Sequence, residues 1–466
     1  MQTGNLLCGA NKPMKQLSNL YSRYKNSRTL TSSFWVILSM GYGQFIRLVS
    51  NLILTRLLLP EYFGIMSIVY AISGFFYMVS DIGLVPSIVN TKRDKEVAFM
   101  ATAWSIQLIR SLILAAVLVV AAWPVSLFYD QPILAYLVLV TAASTVLSGF
   151  NSIGLILEQK YLRQKRLALL EISVQTFSIL SMIVIAYYTR SIWALILGQF
   201  IAVAVKMIAS HKVCPTNFMK FTLERDAVLE IVHFGKWILL ASLFGYFVAR
   251  SSPMIMGKFI GMDLLGMFVI ARMFAAMAEM VVNGLSDKIL QPRYRQMIVG
   301  NTTHEVMLKF RYRFNLIFLP VCIVLATAGQ WIIDLLYDDR YTEAGWVLQI
   351  LSIGRVAAIL SHSAKPILTS LGDSKTLMFN QGFSAILTFS LLSVAGYTSG
   401  FEGMVLASIT LSFLNYGVLA FSLSRKNIHI FLPDIVVAFG CVAIMIIIWW
   451  LLDAKPLHVL AQFLGF

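Results

Sequence analysis

Apolar residues in this chain arrive in blocks of about 20, the length a helix needs to cross about 30 Å of hydrocarbon at 1.5 Å per residue. The alternating ten-residue segments of a membrane β-barrel are not seen. Reading the blocks against their polar breaks predicts thirteen membrane helices. They lie at 31–58, 64–87, 99–123, 131–157, 168–188, 191–210, 231–253, 263–285, 309–330, 344–369, 375–396, 401–423 and 433–452. A short apolar tail, 456–466, is expected to be either a truncated fourteenth helix or a segment lying in the interface. Before the first span, Leu17, Leu20, Tyr21 and Tyr24 recur at helical spacing among Lys15, Arg23, Lys25 and Arg28. That pattern suits an amphipathic helix resting on an anionic leaflet. The first 30 residues are polar and basic, and the apolar run from Thr31 lacks a small-residue cleavage site, so no cleavable signal is expected.

An internal repeat organises the spans. Shifted by 202 residues, span 1 falls on span 7 without a gap. Trp35 meets Trp237, Gly43 meets Gly245, Ile53 meets Ile255, Arg56 meets Lys258, Glu61 meets Asp263 and Gly64 meets Gly266. Aliphatic matches between two membrane helices are cheap, but tryptophan, glycine, basic and acidic matches at fixed spacing are not. Six spans separate the copies, an even number, so both halves face the same way, related by an axis along the membrane normal. The expected organisation is all-α. An amphipathic segment (1–30) leads into an N-lobe of six spans (31–210). A polar linker (211–230) joins it to a C-lobe of six spans (231–423), followed by one or two C-terminal helices (424–466).

Composition agrees: 58% of residues are hydrophobic and 13% charged, about half the charge of a soluble domain. The net charge of +15 would suggest nucleic acid in a soluble protein. Here, 24 Lys and Arg fall on one side of the predicted spans and 5 on the other, which is the signature of membrane topology and places the N-terminus in the cytoplasm. No nucleic-acid partner is implied. The four cysteines are far apart and indicate neither a disulfide framework nor a metal site.

The remaining eight basic residues lie inside predicted spans. Lys206 and Lys236 are near enough to span ends to reach the interface. Arg47, Arg110, Arg250, Arg272, Arg355 and Lys365 are not, and each cation at mid-membrane costs at least about 2.5–3.5 kcal/mol unless it faces a wet or protein-lined cavity. Asp81 and Glu279 are the main candidates for neutralising them or for ion coupling. On span 1, Gln44, Arg47 and Asn51 share one helical face, as residues lining a cleft would, though helix-to-helix hydrogen bonding explains the amides equally. An excess of cations inside a bundle points to an anionic passenger. The longest outward loop, 331–343, is too small to carry a catalytic domain, which argues against an enzyme that polymerises or ligates sugars outside the membrane.

Several stretches together resemble one family. Leu57-Leu58-Leu59-Pro60-Glu61-Tyr62-Phe63-Gly64 is similar to the first loop of the polysaccharide transporter family, the Wzx-type flippases. Asp81-Ile82-Gly83-Leu84 and Ser87-Ile88-Val89 resemble that family's end of span 2. The basic run from Leu157 to Glu171 and the turn Gly372-Asp373-Ser374-Lys375 resemble its loops before span 5 and after span 10. The likeness runs from about Leu30 to Arg425. The resemblance implies the two-lobe superfamily that also contains MATE exporters and lipid II flippases. It further implies export of undecaprenyl-pyrophosphate-linked oligosaccharide units across the cytoplasmic membrane, for O-antigen, capsule or exopolysaccharide. Alternating access around a cationic cavity would carry the unit, with no cofactor, and with a proton or sodium ion as the candidate coupling ion. The partners implied are membrane lipids, a glycan polymerase and chain-length or export proteins. Arg47, Arg110, Arg250, Arg272 and Arg355 are the expected cavity cations, with Gln44, Asn51, Asp81, Glu279 and Lys365 beside them. Three other readings stay open: a lipid II flippase, a MATE-like exporter of organic cations, and a membrane-bound glycan polymerase or ligase.

Overall fold

A computed structural model describes residues 34–35, 38–80, 83–91, 93, 96–161, 163–216, 218–229, 231, 246, 250–300 and 304–464. The expected amphipathic segment at 1–30 lies outside these residues, as do Asp81 and most of the seventh span.

Among the described residues the chain is helical. The first helix, α1, covers 38–57. It is followed by α2 (Pro60–Val79), α3 (Leu84–Asn90), α4 (Val97–Phe128), α5 (Ile133–Gly149), α6 (Gly154–Lys160), α7 (Gln164–Thr189) and α8 (Trp193–Val213). The second half begins with α9 at 250–259. It continues with α10 (Met262–Leu285), a π turn at Ser286–Leu290, α11 (Gln291–Val299), α12 (His304–Leu336), α13 (Glu343–Ser370), α14 (Ser374–Ser424), α15 (Phe431–Leu451) and α16 (Lys455–Leu464).

Nine of the described helices are long and apolar enough to cross a membrane, and the bent pair α5–α6 makes a tenth. The long α14 is two spans, divided where Gly400 takes φ 59° and ψ −140°. This break falls between the expected spans 375–396 and 401–423. Large apolar side chains such as Phe383, Phe389, Val436 and Phe439 point outward along these helices. Such a surface suits lipid and would be a liability in water. The chain is a multi-pass membrane protein.

Local chemistry moves several expected boundaries. The apolar pattern places the second span at 64–87, but α2 opens at Pro60, where proline's missing N–H costs nothing in the first turn, and it closes at Val79. Gly83, at φ 65°, then starts α3 as a separate short helix. The fourth span, expected as 131–157, is bent by 66° between α5 and α6. The outward loop expected at 331–343 shrinks to six residues, because α12 runs to Leu336 and α13 starts at Glu343. The tail forms the ten-residue α16, too short to span. Its own Val459 is buried, and Lys455 Nζ donates to Glu343 Oε1 at 2.6 Å, so α16 lies against the bundle near the start of α13.

The repeat has a physical counterpart at the centre. A methyl group on Gly64 of α2 would collide with the Met262 carbonyl of α10, and one on Gly266 would collide with the Pro60 carbonyl. Residues 60 and 262, like 64 and 266, are equivalents under the 202-residue shift. Each lobe therefore touches its own counterpart in the other, which happens only at a two-fold axis. Around this contact the ends of the lobes exchange hydrogen bonds. Lys258 Nζ donates to the Phe128 carbonyl at 2.6 Å and to Asp130 Oδ2 at 3.2 Å. Arg340, also of the second lobe, donates to the carbonyls of Thr55 and Arg56 at 3.1 and 3.2 Å. Tyr129, after α4, donates to Met254 O, while Tyr337, after α12, accepts from Asn51 Nδ2. At 32 and 33 residues, α4 and α12 are matching long helices with matching Tyr-Asp ends.

One cation sits in a different environment from the one its position suggests. Arg311, which the sequence groups with the inner loop 286–313, is completely buried. It binds Asp434 of α15 bidentately, with Nη1 to Oδ1 at 3.0 Å and Nη2 to Oδ2 at 2.6 Å. Its Nε reaches Ser363 Oγ at 3.0 Å and its Nη2 also reaches the Leu360 carbonyl at 2.9 Å, while Tyr416 donates to Asp434 Oδ2 at 2.5 Å. In the sequence Arg311 is one of several loop cations; its partner lies 123 residues away. The network fastens α15 to α12, α13 and α14. Removing one partner strands a buried charge at a cost of about 3–5 kcal/mol, whereas replacing both by apolar groups is close to neutral. Accordingly, Arg311→Leu or Asp434→Leu should lower the thermal unfolding midpoint of detergent-purified protein sharply, and the double variant should recover most of the loss.

At the ends of the α14 hairpin, Asp373 caps the helix by accepting from Thr376 N at 3.0 Å, and it pairs with Lys426 at 2.5 Å. Led by the Lys426 contact, these partners pull its carboxyl pKa down from 3.8 to about 2. A carboxylate with a depressed folded-state pKa contributes stability that is complete above the unfolded value and fades as pH falls through the folded one. Asp373→Ala should therefore lower the unfolding midpoint near neutral pH, and the gap from wild type should narrow between pH 3.8 and about 2.

Candidate functional site: a cationic cavity in the second lobe

The most enclosed helix carries basic groups inside its span. In α13, 83% of the membrane-crossing stretch is buried, against 22–47% in the other described spans. Its neighbours α10, α12 and α14 surround it, yet Arg355, His362 and Lys365 project from it. They have space to do so because α10, α13 and the two halves of α14 enclose a cavity of about 610 Å³.

Charge is segregated in the lining. Arg272 and Glu279 come from α10, and Arg355, His362 and Lys365 from α13. Glu279 is claimed from two sides: it is ion-paired with Arg355 and lies 3.0 Å from His362 Nε2. Among the described residues, three permanent cations thus face a single carboxylate, and the lining keeps a positive excess even with Glu279 ionised. Arg355 Nε has no partner. A guanidinium with donors to spare suits a phosphate or carboxylate, which accept in the same forked geometry.

All ten α14 residues in the lining are uncharged, and seven of them are polar: Asn380, Gln381, Ser384 and Thr388 before the break, and Ser408, Ser412 and Asn415 after it. Within each half they recur every three or four residues, forming one stripe. The sequence of these helices does not single out that face, because lipid and protein both accept apolar side chains and leave no strong contrast between sides. The stripe becomes legible only once the neighbours are placed.

The residues expected from the sequence divide into groups. Arg272, Arg355, Lys365 and Glu279 come together around this cavity. Arg250, exposed on α9, is near enough to Arg272 to add its field, and Ser252 two residues on reaches the lining. Gln44 and Asn51 lie at the contact between lobes: Gln44 donates to Met280 Sδ at 3.4 Å and Asn51 to Tyr337 Oη at 3.1 Å. Arg47, between them on the same face of α1, is exposed. Arg110 is elsewhere. It donates to Ser80 Oγ at 3.1 Å and to the Tyr77 carbonyl at 2.9 Å, and its guanidinium lies 4.5 Å from the Tyr77 ring centre. It joins α4 to α2 and is not part of the cavity lining. Asp81 lies outside the described residues. His362 and the α14 stripe are what the sequence reading missed. His362 follows Arg355 by seven residues, two helical turns, a spacing that could have drawn attention to it.

Comparison with known proteins agrees with the fold. The chain is 22% identical over 368 residues to the succinoglycan biosynthesis transport protein ExoT of Rhizobium meliloti (strain 1021), covering 78% of this chain and 74% of that one. It is 20% identical to the lipopolysaccharide biosynthesis protein WzxC of Escherichia coli (strain K12), covering 83% and 79%. Among solved structures, an inward-facing multidrug resistance MATE transporter superposes with a TM-score of 0.64 over 84% of this chain and 98% of that one, at 13% identity. The lipid II flippase MurJ in an inward closed conformation superposes with a TM-score of 0.62 over 94% and 100%, also at 13% identity. These structures carry the same two-lobe transporter fold. The family model described as polysaccharide biosynthesis protein matches residues 53–346, nearly two thirds of the chain, and with its two lobes and cationic cavity this protein belongs to that family.

Proposed function

We propose that this protein is a flippase that exports undecaprenyl-pyrophosphate-linked oligosaccharide units from the inner to the outer leaflet of the cytoplasmic membrane, for assembly of a surface polysaccharide. The observation that carries this reading is the positive excess of Arg272, Arg355 and Lys365 over Glu279 in a cavity inside a membrane bundle of this family. Membership of the family and the relatives named for polysaccharide transport support it. The basic residues on the 24-residue side of the topology would face the cytoplasm, with the N-terminus among them.

The chemistry of such a passenger explains the site. Each sugar hydroxyl is expensive to move through hydrocarbon without a hydrogen bond, so the headgroup needs a polar path. The pyrophosphate binds Arg272 and Arg355, with Lys365 adding charge, while the lipid tail stays in the bilayer. Arg47 and Arg250, both exposed, extend the positive field toward the cleft between lobes. The lobes rock about the Gly64–Gly266 contact, and the exchanged bonds at Lys258 and Arg340 break and reform as the outer side opens. With the cell interior negative, outward movement of an anion is downhill by about 2.3 kcal/mol per charge per 100 mV, so ion coupling is not needed energetically. If a proton is coupled, Glu279 with His362 is where it would act. The exported unit passes to a glycan polymerase and chain-length or export proteins. An exporter of organic cations, sharing this fold, would need an acid free to hold its passenger; the one carboxylate among the described lining residues is already held by Arg355 and His362.

In a strain lacking this protein, lipid-linked repeat units should accumulate on the cytoplasmic face and surface polysaccharide should disappear. Arg272→Gln and Arg355→Gln should each reduce export about tenfold or more, since a charge-assisted hydrogen bond contributes about 1.5–3 kcal/mol. Normal surface glycan in the deletion strain, or full export by the double Gln variant at normal protein levels, would show the reading to be wrong.

A further inference from the structure

The segregated lining has a consequence beyond binding an anion. The α14 stripe holds buried polar atoms with nothing to bond: Asn380 Nδ2 on the first half and Asn415 Oδ1 on the second. The side-chain oxygen of Asn380 lies 3.0 Å from Ser422 Oγ, whose single proton also has the Val418 carbonyl within reach at 2.9 Å. Both asparagines line the cavity, and a side-chain amide can donate as well as accept. Leaving either one unsatisfied is unfavourable, so a ligand that bonds to them is held more tightly than one that does not.

The two amides select between parts of a ligand. A phosphate at neutral pH only accepts hydrogen bonds, so it can engage only the NH₂ half of each amide and finds no cation on this wall. A hydroxyl donates and accepts, and it satisfies both. The neighbouring Ser412 and Thr388 already spend their protons on the carbonyls of Ser408 and Ser384, at 3.0 and 2.7 Å, leaving lone pairs toward the cavity. This again favours a ligand rich in donors. The α10–α13 wall is the reverse, with many N–H donors and one claimed carboxylate.

We infer that the cavity divides its passenger between two walls: α10 and α13 take the pyrophosphate, and the uncharged α14 stripe around Asn380 and Asn415 reads the sugar hydroxyls and sets which glycan is accepted. This division rests on the flippase reading above and adds to it a separate site of sugar selectivity. Binding to a hydroxyl-reading wall discriminates strongly, because an analogue lacking the hydroxyl leaves buried polar groups unpaired.

The test uses the full chain purified in detergent and two probes. One is undecaprenyl pyrophosphate without sugar; the other is the undecaprenyl-pyrophosphate-linked glycan extracted from the strain lacking this protein. Asn380→Leu and Asn415→Leu should each weaken binding of the glycan-bearing lipid about tenfold while leaving the sugar-free lipid within about twofold of wild type. Should a Leu variant fail to fold, Asn→Ala at the same position carries the test with the same split expected. Arg272→Gln combined with Arg355→Gln should weaken both probes together. Equal affinity of wild type and the Asn variants for the glycan-bearing lipid would overturn the division while leaving the flippase reading intact, and so would equal loss of both probes by the Asn variants. Failure of wild type to bind either probe would overturn the flippase reading, and the division with it.

Discussion

A charge in hydrocarbon must be enclosed by protein or reached by water, and the rest of this structure is arranged around that constraint. The helix with the most ionisable groups at depth, α13, is the one most completely wrapped by its neighbours. Its charges are handled in two ways. The Arg311–Asp434 pair beside it is dry, bidentate and saturated, with Ser363, Leu360 and Tyr416 taking the remaining bonds. Arg355, His362 and Lys365 instead open on a cavity and keep bonding capacity in reserve. The saturated network is a fastening, and the unsaturated one is a site. Both sit within about three turns of the same helix.

The same constraint governs how the lobes meet. Lipid gives helices no hydrophobic reason to associate, so association rests on close packing and on polar groups that would otherwise be unsatisfied. At the axis the packing limit is reached, with Gly64 and Gly266 each lying against the other lobe's backbone. Farther out, the exchanged bonds from Lys258 and Arg340 are made to backbone carbonyls at helix ends, which are unsatisfied groups in any helix. A joint made of bare backbone at the centre and exposed polar bonds at the rim can rock without exposing a buried core, which suits a transporter with alternating access.

Much of the candidate site is legible without any coordinates because cations in apolar spans are rare and costly. Arg272, Arg355, Lys365 and Glu279 all stand out on that ground, and they share one cavity. The same argument does not separate them from Arg110, which is equally deep in its span but is taken up by Tyr77 and Ser80 one helix away. Nor does it find Arg311, whose position near a span end makes it look like one more loop cation. The α14 stripe is invisible for a different reason. Serine, threonine and asparagine are ordinary in membrane helices, and which of them face a cavity depends on the helix's rotation, which its neighbours set.

By itself, then, the sequence determined the elements and their symmetry. Block length sets which segments cross the membrane, loop charge sets their alternation, and the 202-residue repeat sets two lobes facing the same way. Each of these follows from interactions with lipid and water, which act on a segment locally. Tertiary structure alone decided which intramembrane cations are fastened and which line a cavity, because a partner such as Asp434 for Arg311 lies 123 residues away. It also decided that the repeat's equivalent glycines touch, and that the cavity's charge comes from α10 and α13 while the α14 residues facing it are uncharged. Those outcomes depend on how helices rotate and pack against one another, and no local property of the chain encodes them.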